Sequence, residues 1–279
     1  INNTEKALNH INIANAGDYT TDYIDSVSSQ VDYSRAKQAF DNQDWNTARQ
    51  LLVQASPGTI DDQKRISQLL IAIELQSNQT GEARRLIESL SKQYPGEDFI
   101  VLAKARLFDT EDNGELALKY LNSEWDKNHS PAIARDIYNR LKSNPSDQEA
   151  FLLKWSRQDP TDDKPFIYLA LKAQQAGNKT LAIKFYERAA QINSISPNTL
   201  NNLAWLYYET TNPIALETAK RAYDLDPDNP AILDTYGWIL VNSGNRELGI
   251  NLLEKALNAA ENEDKAGIKS HLEASKKVK

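Results

Sequence analysis

The sequence predicts an all-α chain built as a solenoid of stacked helical hairpins. Three observations carry that prediction. First, the stretch from Thr199 to Ala256 contains one helix-turn-helix unit written twice. Leu203-Ala204-Trp205-Leu206-Tyr207 precedes Ala215, Ala219 and Ala222, and Tyr236-Gly237-Trp238-Ile239-Leu240 precedes Gly249, Leu253 and Ala256, displaced by 33 or 34 positions. Such a period, with small residues at fixed points, marks units that bury their apolar faces against neighbours. Second, the 10 prolines (Pro57, Pro95, Pro131, Pro145, Pro160, Pro165, Pro197, Pro213, Pro227 and Pro230) all fall at expected turns or first helical turns. A proline inside a helix costs about 3 kcal/mol, so scattering would have broken the scheme. Third, Ala170, Ala204 and Gly237 recur in the first helices and Ala182, Ala215 and Gly249 in the second. Paired helices approach closely only where side chains are small, and enlarging one costs about 1–3 kcal/mol.

The elements follow in order. Residues 1–28 are polar and Asn-rich, but Ala7, Leu8, Ile11 and Ala14 form an apolar stripe that predicts a helix over 4–16, followed by a short helix or linker over 19–28. The period runs over 29–263. The first hairpin carries Ala36 and Ala39, the turn Asn42-Gln43-Asp44, then Ala48 and Leu52. The second carries Leu70, Ile71 and Glu74, the turn at Ser77-Asn78-Gln79, then Ala83, Ile87 and Leu90. The third has Leu102, Ala105 and Phe108 before Asp112-Asn113-Gly114, then Ala117 and Leu121. The fourth, about 130–162, is degenerate: Ala150, Leu153 and Trp155 give part of a face, and Gln148 stands where a small residue belongs. The fifth is clear at Leu169-Ala170, Gly177-Asn178, Ala182 and Ala189, and the two duplicated units complete about seven. Residues 264–279 then read as an amphipathic capping helix with a polar outer face.

Small residues at positions eight, twenty and twenty-seven of each unit, with a proline near thirty-two at Pro95, Pro160 and Pro227, resemble the tetratricopeptide repeat. The resemblance implies a right-handed superhelix whose first helices line a concave groove for a partner segment. A narrower resemblance lies in Asn201-Asn202-Leu203-Ala204-Trp205-Leu206-Tyr207, Asp226-Pro227-Asp228-Asn229-Pro230 and Asp234-Thr235-Tyr236-Gly237-Trp238-Ile239-Leu240. These are similar to the C-terminal repeats of bacterial lipoproteins associated with PEP-CTERM protein sorting and exopolysaccharide production. That similarity implies an envelope or periplasmic placement, with membrane association only through a lipid anchor upstream. A cytoplasmic adaptor or co-chaperone is the alternative. The chain begins at Ile1 without a leader and is read as the trimmed body of a longer precursor.

Composition narrows the chemistry. Over 279 residues no apolar run is long enough to span a bilayer, and the net charge of −7 comes without a polybasic block, which argues against nucleic acid or an anionic membrane surface as partner. Absence of cysteine excludes disulfides and thiolate chemistry. No cofactor-binding or nucleophile motif is present. His10, His129 and His271 lack metal-ligand spacing and read as ordinary surface or helix-end residues. Asp109, Glu111, Asn113 and Gly114 imitate the start of a calcium loop, but Tyr120 replaces its bidentate glutamate. Asp224, Asp226 and Asp228 read likewise as a solvated repeat junction. No cofactor or metal is expected.

The resemblance also implies which side chains face the groove. In the last two units these are Asn198, Asn201, Trp205, Tyr208 and Glu209 beside Asp234, Trp238, Val241 and Asn242. Upstream they are Tyr33, Lys37, Phe40, Phe99, Leu102, Arg106, Ile167, Leu171 and Gln174. Trp205 and Trp238 hold equivalent positions and form either an aromatic step for a ligand or internal packing. Asn201, Asn202 and Asn242 offer amides to an extended backbone. The expectation is a non-catalytic protein-binding scaffold. The enzymatic alternative is a glycan-processing protein using Glu209 and Asp234 as a carboxylate pair, which requires roughly 5–10 Å between them.

Overall fold

The structure, a computed structural model, describes residues 21–55 and 59–277. The helix expected over 4–16, His10 and Pro57 lie outside the described residues. Among those described there are fifteen α-helices, one 3-10 turn and no strand. The chain divides into two compact units at the Arg140–Leu141 junction, inside the degenerate fourth repeat.

The first unit contains α1 (Thr21–Asp41), α2 (Trp45–Gln54), α3 (Ile60–Gln76), α4 (Thr80–Gln93), α5 (Asp98–Thr110), α6 (Gly114–Asn128) and α7 (Pro131–Arg140). The pairs α1/α2, α3/α4 and α5/α6 pack as hairpins, and the first helices α1, α3, α5 and α7 contact one another in sequence. The second unit opens with the 3-10 turn Leu141–Ser143. It continues through α8 (Pro145–Gln158), α9 (Lys164–Gln175), α10 (Lys179–Ile192), α11 (Pro197–Glu209), α12 (Ala215–Leu225), α13 (Pro230–Asn242), α14 (Arg246–Ala259) and α15 (Lys265–Lys277). Here α9/α10, α11/α12 and α13/α14 are the hairpins, and α15 packs against both α13 and α14. No described helix is long and apolar enough to cross a membrane.

One turn design recurs in six hairpins. The second residue after the first helix adopts the left-handed conformation at Gln43, Asn78, Asp112, Gly177, Thr211 and Gly244, with φ between 54° and 91°. The next backbone N–H then reaches the carbonyl five residues back, as in Asp44→Ala39 (2.9 Å), Asn113→Phe108 (2.9 Å), Asn178→Ala173 (2.8 Å) and Asn212→Tyr207 (2.8 Å). This bond closes the first helix by satisfying its orphan carbonyls. At Asp44, Asn113 and Asn178 the same residue's side chain accepts a backbone N–H of the second helix and caps it. A single polar residue thus ends one helix and starts the next, which fixes the hairpin angle.

The small residues do what the sequence predicts. Ala36, Ala105, Ala134, Ala170 and Ala204 are fully buried. At the α13/α14 crossing an added Cβ on Gly237 would lie 2.9 Å from the Gly249 carbonyl, and one on Gly249 would lie 2.6 Å from the Gly237 carbonyl. In the degenerate repeat the buried face of α8 is Gln148, Phe151, Leu152 and Trp155, with Ala150 exposed and Leu153 half-buried. Trp155 of the expected face is buried, whereas Ala150 and Leu153 give way to their neighbours Phe151 and Leu152. Gln148 belongs to the buried stripe, and positions i, i+3, i+4 and i+7 from it make the helical face. The nine described prolines all sit in turns or at helix starts, five of them in first turns.

Candidate functional site

In the second unit the expected side chains share one face, and a side chain of α15 reaches it. Spacings of three and four residues put Asn198, Asn201, Trp205 and Tyr208 along one side of α11, and Asp234, Trp238 and Asn242 along one side of α13. His271 of α15 lies against both tryptophans. Its ring stacks on Trp238 with centroids 4.5 Å apart and planes at 24°, and lies 5.7 Å from Trp205. Trp205 in turn meets Tyr208 at 5.8 Å. The carboxylate of Asp234 can only accept, so Nδ1–H of His271 donates to it, at 2.9 and 3.0 Å from its two oxygens. Val241, expected in the groove, is 4% exposed and packs with Leu253 and Leu272. Arg246 fastens the far end of α15 through the carbonyls of Ser275 and Lys276, at 3.1 and 2.9 Å.

His271 is the residue the sequence reasoning missed. It follows Trp238 by 33 residues, as Trp238 follows Trp205. The capping helix is therefore the first helix of a further unit, and its ring continues the tryptophan row.

The amides are divided. Asn202 donates to the Tyr186 hydroxyl at 3.2 Å, Asn242 donates to the Trp238 carbonyl at 2.8 Å, and the buried Asn201 Oδ1 has no partner. Burial raises the Tyr186 hydroxyl above its ordinary pKa, so it stays a neutral donor, directed at Gln174. Asn198 is exposed at the start of α11.

The two carboxylates considered for catalysis are not brought together. Asp234 is held by His271, and Glu209 pairs with Lys179 at 3.3 Å. In the repeat register Asp234 is level with Asn201, so Glu209 lies eight residues further along, about 12 Å down the helix axis. That offset along the axis, with the roughly 8–10 Å between helices at right angles to it, separates the two backbones, and each carboxylate is engaged by its own partner. The acidic turns are also committed elsewhere: Asp109 binds Arg140 through both oxygens at 2.7 Å, which raises the Arg140 pKa, while Asp224 holds Lys220 at 2.6 Å.

In the first unit the corresponding face is open. A cavity of about 420 Å³ lies between α3 and α5. Ile71 and Ala103 form its buried floor, Ala72, Leu75, Phe99 and Leu102 its sides, and Gln68, Asp98, Arg106 and the Lys64–Glu97 pair (2.8 Å) complete its lining. Phe99, Leu102 and Arg106 are three of the residues expected to face the groove. Farther along the row, Tyr33 lies under the Arg65 guanidinium at 4.6 Å, joining α1 to α3.

No protein-family model matches the sequence, and no curated protein matches it either. Solved structures do. Yeast Tom70 aligns over 98% of this chain and 58% of its own, with 14% identity and a TM-score of 0.60. PilF of Pseudomonas aeruginosa aligns over 75% of this chain and 98% of its own, with 16% identity and a TM-score of 0.54. The fold is that of the tetratricopeptide repeat. The faces described above lie on the first helices of their units, and in the second unit the His271 ring of α15 rests against part of that face.

Proposed function

We propose that the chain is a non-catalytic scaffold that holds a segment of a partner protein against the inner face of its first helices. The observation that carries this reading is the open cavity between α3 and α5. It offers an apolar floor and sides for one anchoring side chain, with polar groups at its rim to orient the backbone. A preformed cleft lowers the ordering cost of binding and needs no covalent chemistry. The face of the second unit supports the same use less directly, because His271 already occupies part of the surface of Trp205 and Trp238.

Affinity capture from the source organism tests this, using the wild type beside Leu102→Asp and the pair Trp205→Ala and Trp238→Ala. Leu102→Asp is expected to lose the partner with unchanged helicity, and the tryptophan variants to retain it. A partner retained by Leu102→Asp and lost by the tryptophan variants would move the site to the second unit. Placement in the bacterial envelope, in exopolysaccharide or protein-sorting machinery, is part of the proposal and is supported by the sequence resemblance alone. Fractionation of the native protein is its test, and recovery in the cytoplasmic fraction would favour the adaptor alternative.

A further inference from the structure

We infer that a second cavity of the first unit, at the turn end of its first two hairpins, binds a neutral saccharide. The cavity encloses about 470 Å³ between the start of α2, the end of α3 and the start of α4, a volume usual for small-molecule sites. It shares no lining residue with the cavity between α3 and α5, so the inference stands apart from the groove-binding reading.

The fold does not require a polar lining here. The second unit builds the same cleft between α8, α9 and α10, with about 580 Å³. There Ala173, Ala176 and Leu181 stand 99 positions after Glu74, Ser77 and Glu82, which is three repeat steps. Apolar side chains therefore suffice to build the cleft. The ion pair between Arg49 and the buried Glu74 is no substitute for them in stability, because desolvation offsets most of the attraction within such a pair. The polar lining of the first cleft points to a ligand instead.

Its chemistry is that of sugar recognition. Of the nine residues around the cavity only Trp45 is apolar, and the others carry amide, carboxylate, guanidinium or hydroxyl groups. Phe40 meets Trp45 edge-on, with centroids 5.3 Å apart and planes at 67°, which orients the indole. An indole face is the negative side of the ring and accepts the C–H face of a pyranose. Glu74 grips the Arg49 guanidinium at 2.7 and 3.0 Å, and Asn46 accepts from it at 3.2 Å. Three of its five N–H groups are used in this way, and two remain for hydroxyl oxygens. The exposed side-chain amides of Gln43 and Gln79 have no partner among the described residues, and each offers adjacent hydroxyls both a donor and an acceptor.

Charge balance selects a neutral ligand. The charged residues of the lining are Asp44, Arg49, Glu74 and Glu82. Glu74 is paired with Arg49, Glu82 with Arg85 at 3.1 Å, and Asp44 accepts the Thr47 N–H at 3.1 Å at the start of α2. No carboxylate is left over to draw in a cation, and the guanidinium is already neutralised. What stays unsatisfied is two amides, two N–H groups and a ring face.

The test is binding of the full chain to an array of neutral, uronic-acid and amino-sugar oligosaccharides, followed by calorimetric titration of the best-bound neutral one. Neutral glycans are expected to be retained, with the same affinity at low and high salt because no charge is paired on binding. Trp45→Ala should weaken the titrated glycan about tenfold or more, and Gln79→Ala about fivefold. Leu181→Ala, at the corresponding place in the other cleft, should bind as the wild type does. The Gln79 side chain is exposed and makes no hydrogen bond, so Gln79→Ala decides the matter should Trp45→Ala lose helicity. Retention of no neutral glycan, or an affinity indifferent to Gln79→Ala, would overturn the inference. So would a preference for uronic acids or amino sugars that fades with salt, because the ligand would then be charged.

Discussion

Gly249 has room for a hydrogen where any other residue would place a carbon. Its added Cβ would meet the Gly237 carbonyl and Val241 Cγ2 at 2.6 Å and the Val241 nitrogen at 2.9 Å, and two of those atoms are backbone. Backbone cannot rotate away as a side chain can, so Gly249→Ala must spread α13 from α14. Overpacking of this kind costs up to about 3 kcal/mol, against about 1 kcal/mol gained from alanine's helix propensity. A net loss of about 2 kcal/mol in urea denaturation is expected. Gly267→Ala, where nothing lies within 4 Å, should instead be neutral or stabilising. Asp162 sets a second expectation at this scale. Burial chiefly, then the charges of Asp159 and Asp163, raises its pKa, and its buried Oδ2 has no hydrogen-bond partner. The folded state therefore favours the protonated acid. Stability falls as pH rises from the unfolded carboxyl value of about 3.9 through the raised folded value, and the penalty is complete at neutral pH. Asp162→Asn keeps an acceptor for the Lys164 N–H and removes the charge. A gain below about 1 kcal/mol is expected at pH 7, since the group is only partly shielded from solvent. The gain should vanish at pH 3, and one that persists there would show that charge is not its origin.

At the scale of the element, α15 packs against the tryptophan row through one ring. His271 contributes an aromatic stack worth about 0.5–1.5 kcal/mol and a charge-assisted hydrogen bond to Asp234. His271→Ala should therefore loosen the cap by about 1–3 kcal/mol, seen as about tenfold or faster amide hydrogen exchange across 268–277. Lys269→Ala, on the exposed side of the same helix, is the control and should leave exchange unchanged. Equal protection in both variants would mean that Ile268, Leu272 and the Arg246 contacts hold α15 without the ring. The helix itself was legible, because its apolar stripe and position after the last repeat are local features. Its register was not, because the row continues through a change of residue type, and only the 33-residue step links His271 to Trp238. The open face shows the same limit. Phe99, Leu102 and Arg106 were legible because Ala105 marks the register of α5. Gln68, Ala72 and Leu75 were hidden because Ile71 stands where the neighbouring helices carry alanine. Asn202 looked available for a ligand because its bond to Tyr186 spans sixteen residues and leaves no local signature.

At the scale of the molecule, the repeat pattern weakens where the chain divides. The period is carried by small residues at fixed points, and Gln148 breaks it in the repeat that contains the Arg140–Leu141 junction. Each unit has its own buried apolar clusters. Ile71, Ala83, Ile87 and Leu107 belong to one in the first unit, and Ala170, Leu206, Ile239 and Ala256 to one in the second. A tetratricopeptide array is stabilised mainly by contacts between adjacent hairpins, so a group of hairpins with its own core can stand alone. The junction is also accessible to protease. Lys142 and Ser143 are exposed in the short 3-10 turn, and Asn144 caps α8 from outside the helix. Trypsin at low concentration is therefore expected to cut at Lys142 before any other lysine or arginine of residues 60–260, most of which lie inside α-helices whose backbone resists entry to a protease cleft. Mass spectrometry would identify the fragments, and circular dichroism of the separated pieces would show helical signal in each. Pieces that lose their helicity on separation would show that the two clusters do not suffice singly, and a first cut elsewhere would show that another segment opens more readily than this turn.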